Sequence, residues 1–268
     1  MKALRWGLLT LLILGAVGYA GAVGYMYVNQ RALQYSATGE MTELADTAVL
    51  RAEPIALPVG DDGIINGWYA PPEGDRPVIV YYKGNSGSFS GEHERFAAWT
   101  AAGYGFVAFD YRGFPASEGE ISEAGILADA EVAFDWAAAQ GHPLVIWGRS
   151  LGSGPATYIA STREADALLL ESPFLSAVSV AAERYPILPV YQVMLDQFRS
   201  NEWIADVAEP VFVVHGTADS TIAVSNGERL YALAPNPAEL WIIEGAEHGN
   251  LWDYGLWDRA QAFYSANE

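Results

Sequence analysis

The chain contains Leu144-Val145-Ile146-Trp147-Gly148-Arg149-Ser150-Leu151-Gly152, in which a short apolar run leads into a serine between two glycines. The apolar run is typical of a buried strand, and a helical pattern follows over 154–162. A serine at such a strand-to-helix corner stands on a turn so tight that bulky residues two positions away would clash. Gly148 and Gly152 carry no side chain that would clash. The stretch therefore predicts a nucleophile elbow with Ser150 at its tip.

A nucleophilic serine needs two partners, and in enzymes with this elbow the chain order is serine, acid, histidine. Asp219 ends the segment 211–219, where an apolar β-branched run leads into a glycine-containing loop. His248 is the one histidine after Asp219, in a loop beyond the next apolar run at 240–243. The order predicts a triad of Ser150, Asp219 and His248 at the carboxyl edge of a parallel sheet.

The chemistry of acyl transfer explains why these residue types are needed. A serine hydroxyl is a weak nucleophile near neutral pH, so an imidazole must take its proton, and we assign this task to His248. A buried carboxylate fixes the imidazole tautomer and stabilises the imidazolium, and we assign this task to Asp219. Taken alone, Asp219 is more typical of a turn or a helix cap, so its assignment depends on the order of the three residues.

A tetrahedral intermediate also needs two hydrogen-bond donors for its oxyanion. The first is the backbone N–H that follows the nucleophile, which belongs to Leu151. The second comes from the loop after the third strand, and the apolar run at 78–82 leads into the glycine-rich segment 83–87. We assign the role of this second oxyanion donor to the backbone N–H of Asn85.

The other three histidines are predicted to be structural. His93 lies near a helix start, His142 lies in a Gly-His-Pro turn, and His215 closes a strand beneath the acid loop. No group of His, Asp and Glu has metal-ligand spacing, and the chain has no cysteine, so the sequence gives no support for a zinc site or a disulfide. We expect neither a metal nor a cofactor.

Five motifs, in this order, resemble the membrane-anchored α/β-hydrolases, serine hydrolases of the Bem46 and ABHD13/ABHD17-like group. They are Lys83-Gly84-Asn85, Asp110-Tyr111-Arg112-Gly113-Phe114, Gly148-Arg149-Ser150-Leu151-Gly152, Glu171-Ser172-Pro173-Phe174 and His215-Gly216-Thr217-Ala218-Asp219. The resemblance covers residues 26 to 265. It implies an α/β-hydrolase fold, the triad Ser150, Asp219 and His248, and oxyanion donors at Asn85 and Leu151.

The sequence departs from that family at two positions. The family usually has His-Gly-Asn where this chain has Lys83-Gly84-Asn85, a change that leaves the backbone donor in place. For Lys83, one of only two lysines in the chain, three interpretations stay open: a partly exposed lysine at a strand end, a cation that holds the loop through a carboxylate, or one that favours an anionic substrate group. Pro115 stands where the family more often has glycine, which changes the shape of that loop and not the chemistry.

The N-terminal segment lacks charged residues between Arg5 and Arg31. A helix rises about 1.5 Å per residue, so the apolar run at 8–28 spans the roughly 30 Å hydrocarbon core of a bilayer. We predict a transmembrane anchor over 1–30 and a catalytic domain over 31–268. The alternative is a cleaved signal peptide ending near 20–22, although its apolar region is usually about 7 to 15 residues.

The charge pattern predicts the orientation and excludes one class of partner. Lys2 and Arg5 lie on the N-terminal side of the anchor and Arg31 on the other, so the positive-inside rule places the N-terminus in the cytoplasm and the domain in an extracytoplasmic or periplasmic space. The formal net charge of −19 repels nucleic acid. We expect no nucleic-acid partner and a small-molecule or lipid-like acyl substrate.

Apolar runs and helical stretches alternate along the domain, which predicts a mainly parallel eight-stranded sheet with helices on both faces. The strands are expected at 55–57, 64–69, 78–82, 106–109, 144–147, 168–170, 211–214 and 240–243, and the helices at 92–102, 126–139, 154–162, 223–233 and 257–266. Residues 174–205 interrupt the alternation with prolines and aromatics. We predict that they form a short cap that overhangs the serine and forms a wall of the acyl pocket.

Together these patterns predict a serine hydrolase of the esterase or thioesterase type (EC 3.1) that acts through an acyl-Ser150 intermediate, with lipid or acylated substrates near the membrane as the favoured class. A serine peptidase on short peptides is the alternative within enzymes. A catalytically silent, membrane-anchored scaffold is the alternative of another class. It predicts at least one broken catalytic position, and the sequence has none.

Overall fold

The computed structural model describes residues 2–60 and 63–267. Met1 and Glu268, the outer ends of the two predicted units, lie outside the described residues, as do Asp61 and Asp62. The chain begins with helix α1 (Lys2–Gln34) and continues into a body built on one sheet. The strands are β1 (Glu53–Val59), β2 (Gly63–Ala70), β3 (Val78–Tyr82), β4 (Gly105–Phe109), β5 (Leu144–Arg149), β6 (Ala167–Glu171), β7 (Val211–Gly216) and β8 (Pro237–Ile243).

The sheet has the strand order β1-β2-β4-β3-β5-β6-β7-β8. The pairs β1/β2 and β2/β4 are antiparallel, and every later pair is parallel. Every residue of β3, β6 and β7 is buried, as the continuous apolar runs of a parallel sheet covered on both faces require. The prediction of a mainly parallel, eight-stranded α/β sheet is confirmed.

Helices cover both faces of the sheet. The helices are α2 (His93–Ala101), α3 (Glu123–Ala138), α4 (Ser153–Ala160), α5 (Ala177–Arg184), α6 (Val190–Val193), α7 (Ser200–Trp203), α8 (Val224–Leu233) and α9 (Leu256–Ser265). Apolar residues of α3, α4 and α8 pack in one core cluster with alternate strand residues, and those of α2 and α9 pack in a second cluster on the opposite face.

The predicted helix ends differ most at the start of α3, which begins at Glu123 rather than at Ile126. Ser122 has extended backbone angles, and its hydroxyl accepts a hydrogen bond from the N–H of Gly125 at 3.0 Å. A serine cap satisfies one of the unpaired donors of the first turn. The apolar periodicity starts only after this cap, so the pattern alone places the helix start too late.

The segment between β6 and β7 contains α5, α6 and α7, which are short helices of eight, four and four residues. A capping box starts α5, because Ser176 and Ser179 each bind the other's backbone N–H. This segment lies next to α1. Helix α1 has 33 residues and is long and apolar enough to cross a membrane.

Candidate active site

The serine lies where β5 turns into α4. Ser150 has φ of 51°, a left-handed conformation that is uncommon for a residue with a side chain. A Cβ atom at Gly148 would clash with the side chain of Ala156, and one at Gly152 would clash with the backbone oxygen of Tyr82. The turn therefore tolerates no side chain at either glycine, and it presents the hydroxyl of Ser150 beyond the strand end.

The structure brings together the three residues that the sequence singles out. His248 Nε2 lies 2.8 Å from Ser150 Oγ, and His248 Nδ1 lies 2.7 Å from Asp219 Oδ2. Ser150 follows β5, Asp219 follows β7 and His248 follows β8. Because parallel strands end at one edge of the sheet, three loops far apart in sequence meet there.

Both carboxylate oxygens of Asp219 take part in hydrogen bonds. Its Oδ1 accepts hydrogen bonds from the backbone N–H groups of Thr221 and Ile222, both at 2.8 Å. Burial raises the pKa of this carboxyl, but hydrogen bonds from His215, His248 and Ile222 outweigh it and hold the pKa well below its usual range. Asp219 is therefore a local turn former and an ionised partner of the imidazole at the same time.

His215 is buried beneath the acid loop, and it also touches the acid. Its Nε2 lies 2.9 Å from the backbone oxygen of Ile222 and 3.1 Å from Asp219 Oδ2. A proton on Nε2 has both oxygens as acceptors. This contact with Asp219 was not predicted from the sequence. The available signal was the position of His215 at the buried end of the strand, four residues before the acid.

Asn85 and Leu151, the two residues chosen for the oxyanion hole, line the same cavity as Ser150 and His248. The side chain of Asn85 points elsewhere, because its Nδ2 donates to the backbone oxygen of Gln34 at 2.7 Å. The loop that carries Asn85 is thus fixed to the end of α1. The side chain positions the loop, while a backbone N–H remains the group that oxyanion binding requires.

A cavity of about 580 Å³ extends from Ser150 and His248, a size that is usual for a small-molecule pocket. The cap supplies much of its wall, with Phe174, Ala177, Val180, Ala181, Arg184, Tyr185, Val190, Val193 and Met194. Helix α1 supplies another part, with Met26, Tyr27, Gln30, Leu33 and Gln34. A second cavity of about 440 Å³, lined in part by Glu183 and Arg229, contains none of the three triad candidates.

The chain is similar to several known proteins. A family model described as serine aminopeptidase, S33 (Hydrolase_4) matches residues 75–204. An uncharacterized protein of Mycobacterium tuberculosis is 31% identical over 256 residues, which cover 93% of this chain and 91% of that protein. Lysophosphatidylserine lipase ABHD12 of Danio rerio is 34% identical over 197 residues, which cover 65% of this chain and 51% of the lipase. The chain thus spans about half the length of that lipase.

The Pyrococcus furiosus esterase PF2001 superposes with a TM-score of 0.69 at 17% identity, over 87% of this chain and 97% of that one. The chain belongs to the α/β-hydrolases of the ABHD type. This confirms the membership that the five motifs predict. Relatives with lipase or ABHD names include ABHD12 and ABHD12B, and the esterase supports the α/β-hydrolase fold.

Lys83 of this α/β-hydrolase is 1% exposed, so the interpretation as a partly exposed lysine is wrong. Its Nζ donates to the backbone oxygen of Gly84 at 3.0 Å, lies 3.8 Å from Asp110 Oδ1 and stands 4.0 Å from the ring centroid of Phe114. Burial lowers the pKa of Lys83 to about 8, against the opposing effect of Asp110. Lys83 therefore holds the loop before Asn85 through a carboxylate.

A second charge cluster includes Arg149, the residue before Ser150, and it was not predicted from the sequence. Glu171 at the end of β6 binds Arg95 at 2.8 Å and Arg149 at 3.3 Å, and Arg149 also approaches Glu92 at 3.4 Å. Burial raises the pKa of Glu171, but the two arginines more than offset this and lower it overall. Two cations thus face two carboxylates. The cluster fixes Arg149, the residue next to Ser150, which also lines the cavity.

Proposed function

We propose that this α/β-hydrolase is a serine hydrolase that cleaves an acyl ester or thioester through an acyl-Ser150 intermediate. The observation that carries the proposal is the continuous chain of hydrogen bonds from Ser150 Oγ through His248 to Asp219, at 2.8 and 2.7 Å. A nucleophile, a base and a group that orients the base are the parts that such catalysis needs.

The first half-reaction forms the acyl-enzyme. Ser150 Oγ attacks the carbonyl carbon while His248 Nε2 takes the hydroxyl proton. The backbone N–H groups of Asn85 and Leu151 stabilise the oxyanion of the tetrahedral intermediate. His248 then returns the proton to the oxygen or sulfur of the leaving group as the bond to the carbonyl carbon breaks, which leaves the acyl group on Ser150.

The second half-reaction releases the acid. A water molecule gives a proton to His248 and attacks the acyl carbon, and His248 returns that proton to Ser150 as the ester bond breaks. Asp219 remains ionised throughout, consistent with the low pKa of its carboxyl, and stabilises the imidazolium that forms in each half. The chemistry assigned here needs no cofactor.

The favoured substrates are lipid or other acyl compounds near a membrane. Relatives called lysophosphatidylserine lipase and helix α1, which is long and apolar enough to cross a bilayer, support this class. We propose the anchor at residues 1–30, the catalytic domain at 31–268 and the cap at about 174–205. By the positive-inside rule, the N-terminus is cytoplasmic and the domain lies outside the cytoplasm.

The peptidase alternative is kept because the matching family model is described as serine aminopeptidase. The same hydrogen-bonded trio serves amides on related folds. Competition between short peptides and p-nitrophenyl esters separates the two activities, because a peptidase would be inhibited by the peptides. The scaffold alternative is disfavoured, since Ser150, Asp219 and His248 are all intact and in contact.

Labelling with a fluorophosphonate, which traps activated serines, tests the proposal. The full chain in detergent is expected to label, and Ser150→Ala is expected to lose the label together with hydrolysis of p-nitrophenyl esters. Ser225→Ala, a change on the exposed side of α8, is the matched control and retains both. A folded wild type that does not label, or a Ser150→Ala variant that still does, would refute the assignment of Ser150.

A further inference from the structure

Helix α1 is part of the wall of the cavity that contains Ser150. Met26, Gln30 and Leu33 line that cavity and recur at spacings of four and three residues, so they share one face of the helix. Val28 lies on another face and is 80% exposed. The sequence predicts only an anchoring role for this helix, whereas its last turns also shape the pocket.

The contact between α1 and the cap is built from specific polar bonds. Arg31 Nε donates to Asp196 Oδ2 at 3.0 Å, and Gln34 Nε2 donates to the backbone oxygen of Asp196 at 3.0 Å. The hydroxyl of Tyr35 adds a bond of 3.1 Å to the same carboxylate, which is buried. Gln30 Oε1 accepts the N–H of Leu195 at 2.7 Å. The helix and the cap therefore form one unit around the pocket.

The part of the cap beside α1 is apolar and exposed. Residues 185–195, here called the cap tip, contain no charged residue. Ile187, Tyr191 and Leu195 are 78%, 53% and 55% exposed. Exposed apolar side chains clustered in this way mark a surface that another apolar phase covers.

The position of the cap tip along α1 identifies that phase. The hydroxyl of Tyr19 donates to the backbone oxygen of Ile187 at 2.8 Å. Tyr19 lies twelve residues before Arg31, the first charged residue after Arg5, which is about 18 Å along the helix axis. If α1 spans a bilayer through its apolar run at 8–28, Tyr19 lies near the middle of that run, so Ile187 lies at the level of the acyl chains rather than of the headgroups.

We infer that the cavity opens into the bilayer between α1 and the cap tip, and that the acyl chain of a membrane-resident ester enters there and lies against the Met26 face of α1. The inference rests on the proposed function, because the carbonyl of that ester is the one that Ser150 attacks. Helix α1 then selects the acyl chain, and the cap tip is a membrane-inserted surface.

Site-directed spin labelling tests the membrane surface without any activity. The chain has no cysteine, so a single nitroxide can be placed in the full chain in lipid nanodiscs. At Ile187→Cys the nitroxide is expected to be relaxed more by oxygen than by a water-soluble nickel chelate. Ile64→Cys, in β2 next to the edge strand β1 and 51% exposed, is expected to show the reverse. Nickel access at Ile187 equal to that at Ile64 overturns the inference.

Chain-length selection tests the pocket wall. Met26→Trp places a larger side chain in the cavity and is expected to lower kcat/KM for p-nitrophenyl palmitate about tenfold, while p-nitrophenyl butyrate changes less than about threefold. Val28→Trp adds the same side chain on the exposed face and is expected to leave both within about twofold. Equal losses for both esters in Met26→Trp, or no loss for either, overturn the assignment of α1 to the acyl wall.

The two tests separate this inference from the proposed function. A wild type that hydrolyses neither ester, with a lipid-exposed nitroxide at Ile187, refutes the proposed function and the acyl chain as occupant. A wild type that hydrolyses both esters, with a water-exposed nitroxide at Ile187, leaves the proposed function standing and refutes the opening into the bilayer.

Discussion

The edge of the sheet and the cap tip border the same cavity, but they are built differently. At the sheet edge Ser150 and Asp219 are buried, and Asp219 alone is held by four hydrogen-bonding neighbours. At the cap tip Ile187 is 78% exposed, and α6 is a single turn of four residues. Isolated turns of this length are not stable without packing. The comparison suggests that the sheet positions the reacting groups, while α1 and the cap select what reaches them.

Among the substitutions that test this comparison, Asp219→Asn is expected to have the largest effect on turnover. The amide retains an oxygen for the N–H groups of Thr221 and Ile222, but it removes the charge that stabilises the imidazolium and fixes its tautomer. We expect kcat/KM to fall about 10⁴-fold. If the sheet edge controls chemistry alone, the loss measured with p-nitrophenyl butyrate equals that measured with palmitate. A loss that depends on chain length would mean that the two regions are not separate.

The features of the sheet edge that depend on local pattern were predictable from the sequence. The strand runs, the elbow and the order of Ser150, Asp219 and His248 need only neighbouring residues and chain order, and the fold they predict is confirmed. The cluster of Glu171 with Arg95 and Arg149 was not predictable, because it joins residues 76 and 22 positions apart. Distant charges meet only when the strand order is known.

The same limit explains why α1 was assigned to the membrane only. Its apolar composition predicts a bilayer span. That composition does not show which face of the helix contacts lipid and which face contacts the rest of the protein. The contacts with Asp196 and Leu195 lie more than 160 residues away in sequence. Lys83 is a third case, because its buried partner Asp110 follows the next strand and no local pattern links the two.

A second test lies where the two regions meet, at Asn85. Asn85→Pro removes the backbone N–H that we assign to the oxyanion hole, and we expect kcat to fall about 10²–10³-fold for both esters. Asn85→Ala is the matched control, since it keeps that N–H and loses only the side-chain bonds to Gln34 and Ser36. The control is expected to lose about 1 kcal/mol of stability and little turnover. Thermal unfolding of both variants checks that each is folded. Similar losses of kcat in the two variants would show that the side chain, not the N–H, is what matters.

The smallest expected effect on turnover comes from Lys83→Met, because Lys83 supports the sheet edge from below and does not line the cavity. We expect kcat/KM to change less than about threefold at pH 7. In contrast to turnover, the pH dependence of the free energy of unfolding is expected to change in Lys83→Met. Burial places the pKa of Lys83 at about 8 in the folded chain, against about 10.4 for an unfolded lysine.

Between these two pH values the unfolded chain binds a proton that the folded chain has released, so the wild type gains stability as pH rises. Methionine has no such proton, and the raised pKa values of the buried tyrosines are common to both proteins. The free energy of unfolding of the wild type minus that of Lys83→Met should therefore rise between pH 8 and about 10.4, by up to roughly 3 kcal/mol. Urea unfolding in detergent at a series of pH values measures this difference. A flat difference would mean that the ammonium of Lys83 is stabilised as well in the fold as in water, and a large loss of turnover would place Lys83 in the chemistry of the sheet edge.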